Sequence, residues 1–309
     1  MFLENTATAR PQVTIGMCVR NCEIYLKEAL ESIVSQVFPH NLLELVIVDD
    51  GSEDRTLETA KQYASKIDFP VKILHTTWKG LGYARNMVVA NANGDYILWV
   101  DGDMLLSKDF VATLFEFMEK NKEAGISKGK QSLQPSENTL STLEAYSRAA
   151  GRMVNYQSKK TQFRSLGTGG AIYRTEAIRQ VGGFDENLRG YGEDWDAEIR
   201  IRAAGWSLYS LNVEFSDYER YKMNWKSLWR RYWLRGYYTH YFSHKNRGFV
   251  MLYRMFPAAS FISGLVFSRK LYVSTGKKIV FLLPLQHAFK MSAWFIGFIS
   301  SHFNSYNPC

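Results

Sequence analysis

The chain has 309 residues, a formal net charge of +8 and 15% aromatic residues, with a mean hydropathy of −0.24. That is the composition of a folded protein with a sizeable core, long enough for one large or two smaller domains. Its three cysteines, Cys18, Cys22 and Cys309, exclude a disulfide framework and point to a reducing compartment. The polar N-terminus carries no apolar signal segment, so the first domain is expected to stay on the cytoplasmic side. The basic excess leaves nucleic acid, phosphorylated substrates and an anionic membrane surface as partner classes.

Val13–Val19 reads as a buried strand, and Asn21 as the N-cap of a helix beginning near Glu23, with an apolar stripe at Ile24, Leu26, Ala29, Leu30, Ile33 and Val34. Leu42–Val48 is a second strand running into Asp49-Asp50-Gly51-Ser52, and Asp54 is placed to cap a helix over 56–65. Residues 71–74 form a short third strand, and the Gly-containing loop 79–86 feeds a helix to about Ala92. After the turn Asn93-Gly94-Asp95, the apolar run from Tyr96 to Val100 ends in Asp101-Gly102-Asp103. Alternate side chains of a strand share a face, so Asp101 and Asp103 are expected to point the same way where the strand gives out. Paired carboxylates there are costly unless a cation or hydrogen-bond donors compensate them. A hard divalent cation carrying substrate phosphates is one such compensation, and a plain polar turn is the alternative.

Helices follow over about 109–121 and 143–154. Gly167–Gly170 precedes a strand at 171–173, and a helix begins near Thr175. Gly190 to Asp196 opens another helix, through Ala203, before a strand over 207–213. The alternation predicts an α/β fold with a mostly parallel, doubly wound sheet flanked by helices and joined by right-handed crossovers. Ligands bind at the carboxyl ends of such strands, where three polar clusters fall: 18–21, 49–52 and 101–103.

Val48-Asp49-Asp50-Gly51-Ser52 with Asp54 and Thr56, residues 80–86, Asp101-Gly102-Asp103, Gly167–Gly170, Gly182-Gly183-Phe184-Asp185 and Gly192-Glu193-Asp194 follow one another in an order and spacing that resembles the inverting family 2 glycosyltransferases. That family has the GT-A fold, and the resemblance runs from Val13 to about Gly236. It implies a catalytic domain over 1–222 and a C-terminal helical, membrane-associated region over 223–309. It implies that Asp50, with Cys18 and Asn21, receives the donor nucleotide of a UDP- or GDP-sugar, and that Arg85 contacts the base or braces Asp101. Lys79 is a weaker phosphate contact. Asp101 would meet the ribose or the metal, and Asp103 would ligate Mg2+ or Mn2+ bridging the donor phosphates. Gly169, Gly170 and Glu193 would lie on the acceptor side. Asp194 would be the general base facing the acceptor, and if the acceptor is a phosphate it would be less essential or would position that acceptor. Asp196 is expected to be structural.

The sequence departs from the family at two places. Arg20 stands where relatives often carry an aromatic residue, and the third metal ligand, often His, is missing, with Asp217 as the candidate substitute. Trp229–Gly236 resembles the arginine-and-tryptophan motif of processive members without its Gln, so no polymerase is inferred. Either Arg230 or Arg231 is expected to clamp the diphosphate, or the stretch is an interfacial amphipathic helix with aromatics and cations at headgroup level.

Phe249–Ser268 and Ile279–Ser300 approach the ~20 residues needed to span a bilayer, but Arg254, Pro257, Pro284, His287 and Lys290 interrupt them. Arg269, Lys270, Lys277 and Lys278 would lie at the far end of a spanning hairpin, against the positive-inside rule. Interfacial or re-entrant helices at the cytoplasmic face of the cell membrane are therefore expected, with a soluble helical subdomain as the alternative. A lipid-linked glycan or polyprenyl phosphate would suit such a tail as acceptor. A nucleotidyltransferase would need a Gly-rich, basic phosphate loop after the first strand, which 18–21 does not supply. A non-catalytic sugar-nucleotide or membrane scaffold would bind without turnover. Nucleic acid is not expected, because the basic residues are mixed with an apolar tail.

Overall fold

The computed structural model describes residues 10–132, 138–148, 165–217, 223–250 and 255–304. Its first half is a parallel sheet in the order β3-β2-β1-β4: β1 (Val13–Val19), β2 (Leu43–Asp50), β3 (Val71–Thr76) and β4 (Tyr96–Trp99). Helices α1 (Glu23–Val34), α2 (Thr56–Ala64) and α3 (Leu81–Asn91) make the crossovers. The two-residue period of β2 divides the core. Leu43, Leu45 and Ile47 pack with Leu26, Leu30 and Ile33 of α1, whereas Val46 and Val48 pack with Ala84 and Val88 of α3. Covered on both faces, β2 is buried along its whole length.

The second half mixes directions. β6 (Ala124–Gln131) and β7 (Ala171–Arg174) are antiparallel to each other, and β7 is antiparallel to β4. β8 (Ser207–Asp217) runs parallel to β6, and β5 (Met104–Leu106) is antiparallel to β8 at the sheet edge. The sheet is thus uninterruptedly parallel only from β3 to β4, with one further parallel pair at β6 and β8. After β4 a tight turn, closed by Met104 N–H donating to Asp101 O at 3.0 Å, replaces the helical crossover. Four residues link β4 to the far edge strand, so the second half curls back toward β4.

Three local expectations change. The N-cap of α1 is Cys22, not Asn21. Asn21 takes a left-handed φ of 51°, and its side-chain oxygen accepts from Glu53 N–H at 2.8 Å. The cap of α1 comes from Asp54, whose carboxylate accepts from Glu23 N–H at 3.2 Å and from Thr56 N–H at 3.0 Å, serving the first turns of both α1 and α2. The helix expected at 143–154 begins at Thr139 (α5, Thr139–Arg148), where Asn138 accepts from Leu140 N–H and Ser141 N–H; its expected end lies outside the described residues. α4 (Phe110–Lys120), α6 (Thr175–Gln180) and α7 (Glu193–Ala203) complete the sheet's cover.

Helices α8 (Trp225–Lys245), α9 (Pro257–Thr275) and α10 (Leu283–Phe303) follow. α8 and α10 touch backbone to backbone. A Cβ at Gly236 would stand 1.9 Å from Trp294 O, and one at Gly297 2.0 Å from Trp233 O. α10 is fastened to α5 by a buried ion pair, Lys290 Nζ to Glu144 Oε2 at 2.9 Å. Burial alone would raise the Glu144 carboxyl, but Lys290 and Arg148 outweigh it and hold it well below the usual carboxylate range. Ile262, Leu265, Val266 and Val273 of α9, with Phe281 and Leu285, leave an apolar face exposed.

The Gly–Gly crossing generates a stability prediction. Gly236→Ala must push the two helices apart, at an expected cost of about 1–3 kcal/mol. The measurement is the urea denaturation midpoint, and an unchanged midpoint would refute the backbone contact.

Candidate active site

A cleft of about 720 Å³ opens where β4, β6, β8 and α7 meet, with Asp101, Asp103 and Asp194 among its lining residues. Asp101-Gly102-Asp103 is not the end of a strand, because β4 stops at Trp99. The two carboxylates reach the cleft from the turn described above, so strand alternation is not what brings them together. The loop 165–170 lies directly against them. Gly170 N–H donates to Trp99 O at 2.9 Å, and a Cβ at Gly169 would stand 2.7 Å from Asp101 Oδ2. Only glycine lets this backbone pass the carboxylate. Met104 pairs with Asp217 across β5 and β8, which sets Asp217 beside the turn. Asp217 Oδ2 lies 3.3 Å from Arg148 Nη1.

The opposite wall is the first turn of α7. Glu193 is buried and ion-paired to Arg85 of α3, and Arg85 also donates to Thr168 Oγ1. Arg85 therefore braces Glu193, not Asp101. Burial raises the Glu193 carboxyl to about 7, with Arg85 opposing the shift and Asp194 adding to it. Asp194 Oδ1 accepts from Trp195 N–H at 2.7 Å, and its Oδ2 lies 3.4 Å from where a Gly167 Cβ would stand. Two further groups clamp loop 165–170. Glu198 accepts from Leu166 N–H at 2.8 Å, Gly167 N–H at 2.7 Å and Ser165 O–H at 3.0 Å. Lys128 donates to Leu166 O at 2.6 Å and Gly167 O at 3.2 Å. Burial and then Asp194 push Glu198 up to about 8 against those three donors. Burial draws Lys128 down to about 8 against the pull of Glu198. Asp196, one position beyond the cleft, is fully buried and paired with Arg200 and Lys245.

Other expected residues sit elsewhere. Both oxygens of Asp50 accept backbone donors, Lys79 N–H at 2.8 Å and Gly80 N–H at 3.0 Å, so it shapes the 79–80 loop. Cys18, Asn21, Asp50 and Lys79 are not among the residues lining the cleft. Arg20 lies over the Trp78 ring, 5.4 Å from its centroid. On α8, Arg231 lines the cleft and Arg230 is solvent-exposed. Sequence reading missed Lys128, Arg148, Glu198 and Arg235. Arg235 was within reach, four residues after Arg231 on one helix face; it lies 5.3 Å from the Tyr191 ring and 4.9 Å from that of Tyr232. Lys128 had no comparable signal, since its partners are distant in sequence, whereas Arg148 carried a local one, its i,i+4 spacing from Glu144 on α5.

The donor set suits a hard cation. Asp101 and Asp103 offer carboxylate oxygens at one turn of the cleft. Among the described residues no group of three or more His, Cys, Asp or Glu side chains forms a closed cage. Mg2+ and similar ions are commonly held by one or two carboxylates, with substrate phosphates and water completing the shell. The residues present fit that pattern.

Residues 14–182 match the family described as "Glycosyl transferase family 2", and residues 148–224 match "N-terminal domain of galactosyltransferase". Among curated proteins, the poly(ribitol-phosphate) beta-N-acetylglucosaminyltransferase TarS of Staphylococcus aureus is 35% identical over 101 residues, 33% of this chain and 18% of TarS. The putative glycosyltransferase EpsE of Bacillus subtilis is 38% identical over 113 residues, 36% of this chain and 40% of EpsE. The matched stretches thus span well under two thirds of these relatives' own length. Among solved structures, the mannosyltransferase PcManGT from Pyrobaculum calidifontis, in complex with GDP-Man and Mn2+, superposes with a TM-score of 0.66 at 16% identity, covering 96% of this chain and 88% of that one. Residues 1–349 of S. aureus TarS, in complex with UDP, superpose with a TM-score of 0.53 at 19% identity, over 96% of this chain and 92% of that one. The fold is therefore the GT-A fold. With more than half of its residues inside the family match, the chain belongs to glycosyl transferase family 2.

Proposed function

We propose that this protein is an inverting, metal-dependent glycosyltransferase that moves a sugar from a UDP- or GDP-sugar to an acceptor at the cytoplasmic face of the membrane. The observation that carries the reading is that Asp101 and Asp103 line one cleft with Asp194, while the loop 165–170 runs between them. Bound nucleotides in the relatives' structures, UDP for TarS and GDP-Man with Mn2+ for PcManGT, support a nucleoside-diphosphate donor. In this proposal Asp101 and Asp103 hold Mg2+ or Mn2+, which when bound neutralises charge on the departing nucleoside diphosphate. Asp194 takes the proton of an acceptor hydroxyl from the face opposite the leaving group, which is what inversion requires. The Arg85–Glu193 pair fixes the first turn of α7, and so the position of Asp194. Gly169 lines the cleft and lets the acceptor approach close to backbone, while Gly170 lies against the Phe215 ring. Arg231 faces the donor phosphates, and Asp50, with Cys18 and Asn21, shapes the nucleotide end of the sheet.

Residues 1–222 would form the transferase unit and residues 223–309 its membrane-facing region. Lys278–Phe303 is the one stretch among the described residues long and apolar enough to cross a bilayer, but its Lys290 is tied to Glu144. That favours helices lying at the interface, with the outward face of α9 in the lipid and Arg269, Lys270, Lys277 and Lys278 at headgroup level. Such a surface suits a lipid-linked glycan or a polyprenyl phosphate as acceptor.

A panel of UDP- and GDP-sugars, with membrane lipid extract as acceptor and Mn2+ present or chelated, tests the activity by nucleoside diphosphate release. Asp103→Asn is expected to lose more than the roughly 100-fold that an outer-shell partner costs. Asp194→Asn is expected to lower kcat by about 10²–10⁴; full activity in both would refute the assignment. Vesicle flotation checks the membrane reading: Val273→Glu is expected to reduce binding to anionic vesicles, and equal flotation would count against it. The raised Glu198 carboxyl generates a pH prediction. Folded, it keeps its proton up to about 8, against an ordinary 4.5. Its contribution to stability is therefore complete below pH 4.5 and lost as pH rises toward 8. Glu198→Gln should flatten that decline in urea denaturation, and an identical slope would contradict the shift.

A further inference from the structure

We infer that Arg148 is a built-in cation of the donor-phosphate site, and that Asp217 serves to hold it there instead of ligating the metal. The inference rests on the reading of Asp101 and Asp103 as the metal carboxylates. Arg148 is the last residue of α5 and lines the cleft together with Asp101, Asp103 and Asp217. Two carboxylates grip it from different elements. Its Nη1 lies 3.3 Å from Asp217 Oδ2 at the end of β8, and its Nε 3.5 Å from Glu144 Oε1 within α5. A guanidinium has five donors; the Asp217 contact is a hydrogen bond from one of them, and the Glu144 contact is an ion pair. Its planar fork matches phosphate oxygens in pairs, which an ammonium does not.

The second grip is anchored deep in the protein. Glu144 has no exposed surface. It is held by Lys290 Nζ at 2.9 Å, Tyr232 O–H at 3.3 Å and Gln286 Nε2 at 3.4 Å. If Arg148 swung away, a buried carboxylate would lose one of its two cations, which is strongly unfavourable. Arg148 is thus preorganised from behind, by groups that never reach the cleft, and Glu144 is its positioning residue.

Charge explains why a third carboxylate ligand is not needed. Asp217 sits beside the Asp101–Asp103 turn through its pairing with Met104. A divalent cation with two carboxylates is already neutral before the donor's diphosphate arrives. A third bare carboxylate would add repulsion at the site where the leaving group gathers negative charge. With Arg148 bound to it, Asp217 is neutralised, and the guanidinium presents its remaining donors to the diphosphate.

Two titrations of the 309-residue chain test this. The first follows Mn2+ binding by electron paramagnetic resonance. Asp217→Asn is expected to keep Mn2+ affinity within about twofold, whereas Asp103→Asn lowers it at least about tenfold. The second follows pyrophosphate binding by calorimetry in EDTA, so that no metal takes part. Arg148→Met is expected to weaken pyrophosphate about tenfold, and Arg148→Lys to restore part of the loss. Glu144→Gln is expected to weaken it by a smaller factor, with melting curves showing that the variant is folded. If Asp217→Asn loses Mn2+ as Asp103→Asn does, or if Arg148→Met binds pyrophosphate as tightly as the parent chain, the inference is overturned. If Asp103→Asn binds Mn2+ normally, the metal reading itself fails, and the pyrophosphate titration still decides the role of Arg148.

Discussion

A carboxylate taken out of water has to be met by donors or cations, and the loops around this cleft are placed by that requirement. Asp49, Asp50, Glu144, Glu193, Asp196 and Glu198 are all nearly or wholly buried. Each fixes a different piece of chain. Asp49 accepts from Ser52 and pairs with His75. Asp50 holds the 79–80 backbone. Glu193 draws in Arg85 from α3, Glu198 gathers the 165–167 backbone, and Glu144 ties α10 to α5. The hydrophobic core builds the sheet and its covering helices, and the buried acids set where the connecting segments run. The cleft is what those segments leave between them.

This divides the acids of the family motifs into two kinds. Asp101, Asp103 and Asp194 line the cleft, while Asp50 and Asp196 lie outside its lining and Glu193, which also lines it, is ion-paired to Arg85. Adjacent residues fall on opposite sides of the division. Glu193 turns inward to Arg85 and Asp194 turns to the cleft, because successive positions on a helix face directions about 100° apart. The inward partner keeps the first turn of α7 rigid, so the outward one is presented from a fixed base.

The parallel half of the fold was legible because its signals are local. Apolar runs of strand length alternate with amphipathic helices, and polar clusters mark the strand ends. The second half was not, for reasons that can be named. β6 carries Gly125, Lys128, Gly129 and Lys130, which dilute its apolar pattern, yet the strand is secured by pairing with β7 and β8 on either side. The cap of α1 is supplied by Asp54, 31 residues from the N–H that it accepts, so a neighbouring Asn21 was the nearer but wrong reading. Asp101 and Asp103 both line the cleft, but from a turn and not from the strand end that the apolar run suggested, because the turn bond from Met104 to Asp101 leaves no trace in composition. Lys128 was invisible for the same reason, its partners coming from a distant segment, whereas Arg148 has one distant partner, Asp217, and one local one, Glu144.

The tail shows how length and apolarity mislead when packing is left out. Ile279–Ser300 reads as nearly a membrane span, but the corresponding helix spends much of its surface inside the protein. Gly297 meets α8 backbone to backbone, and Trp294, Ala293 and Lys290 are buried. Only one side, with Leu285, Ile296 and Ile299, remains exposed. A helix that packs on protein with one face and leaves the other exposed has the apolar content of a span for two separate reasons, only one of which concerns its surroundings. Lys290 makes the point sharply. In a bare span it would be a charge at the bilayer's centre; here it is the cation that a buried Glu144 requires, and through Glu144 it steadies Arg148 at the edge of the cleft. The same residue that spoils the hydropathy of the tail therefore joins the tail to the site.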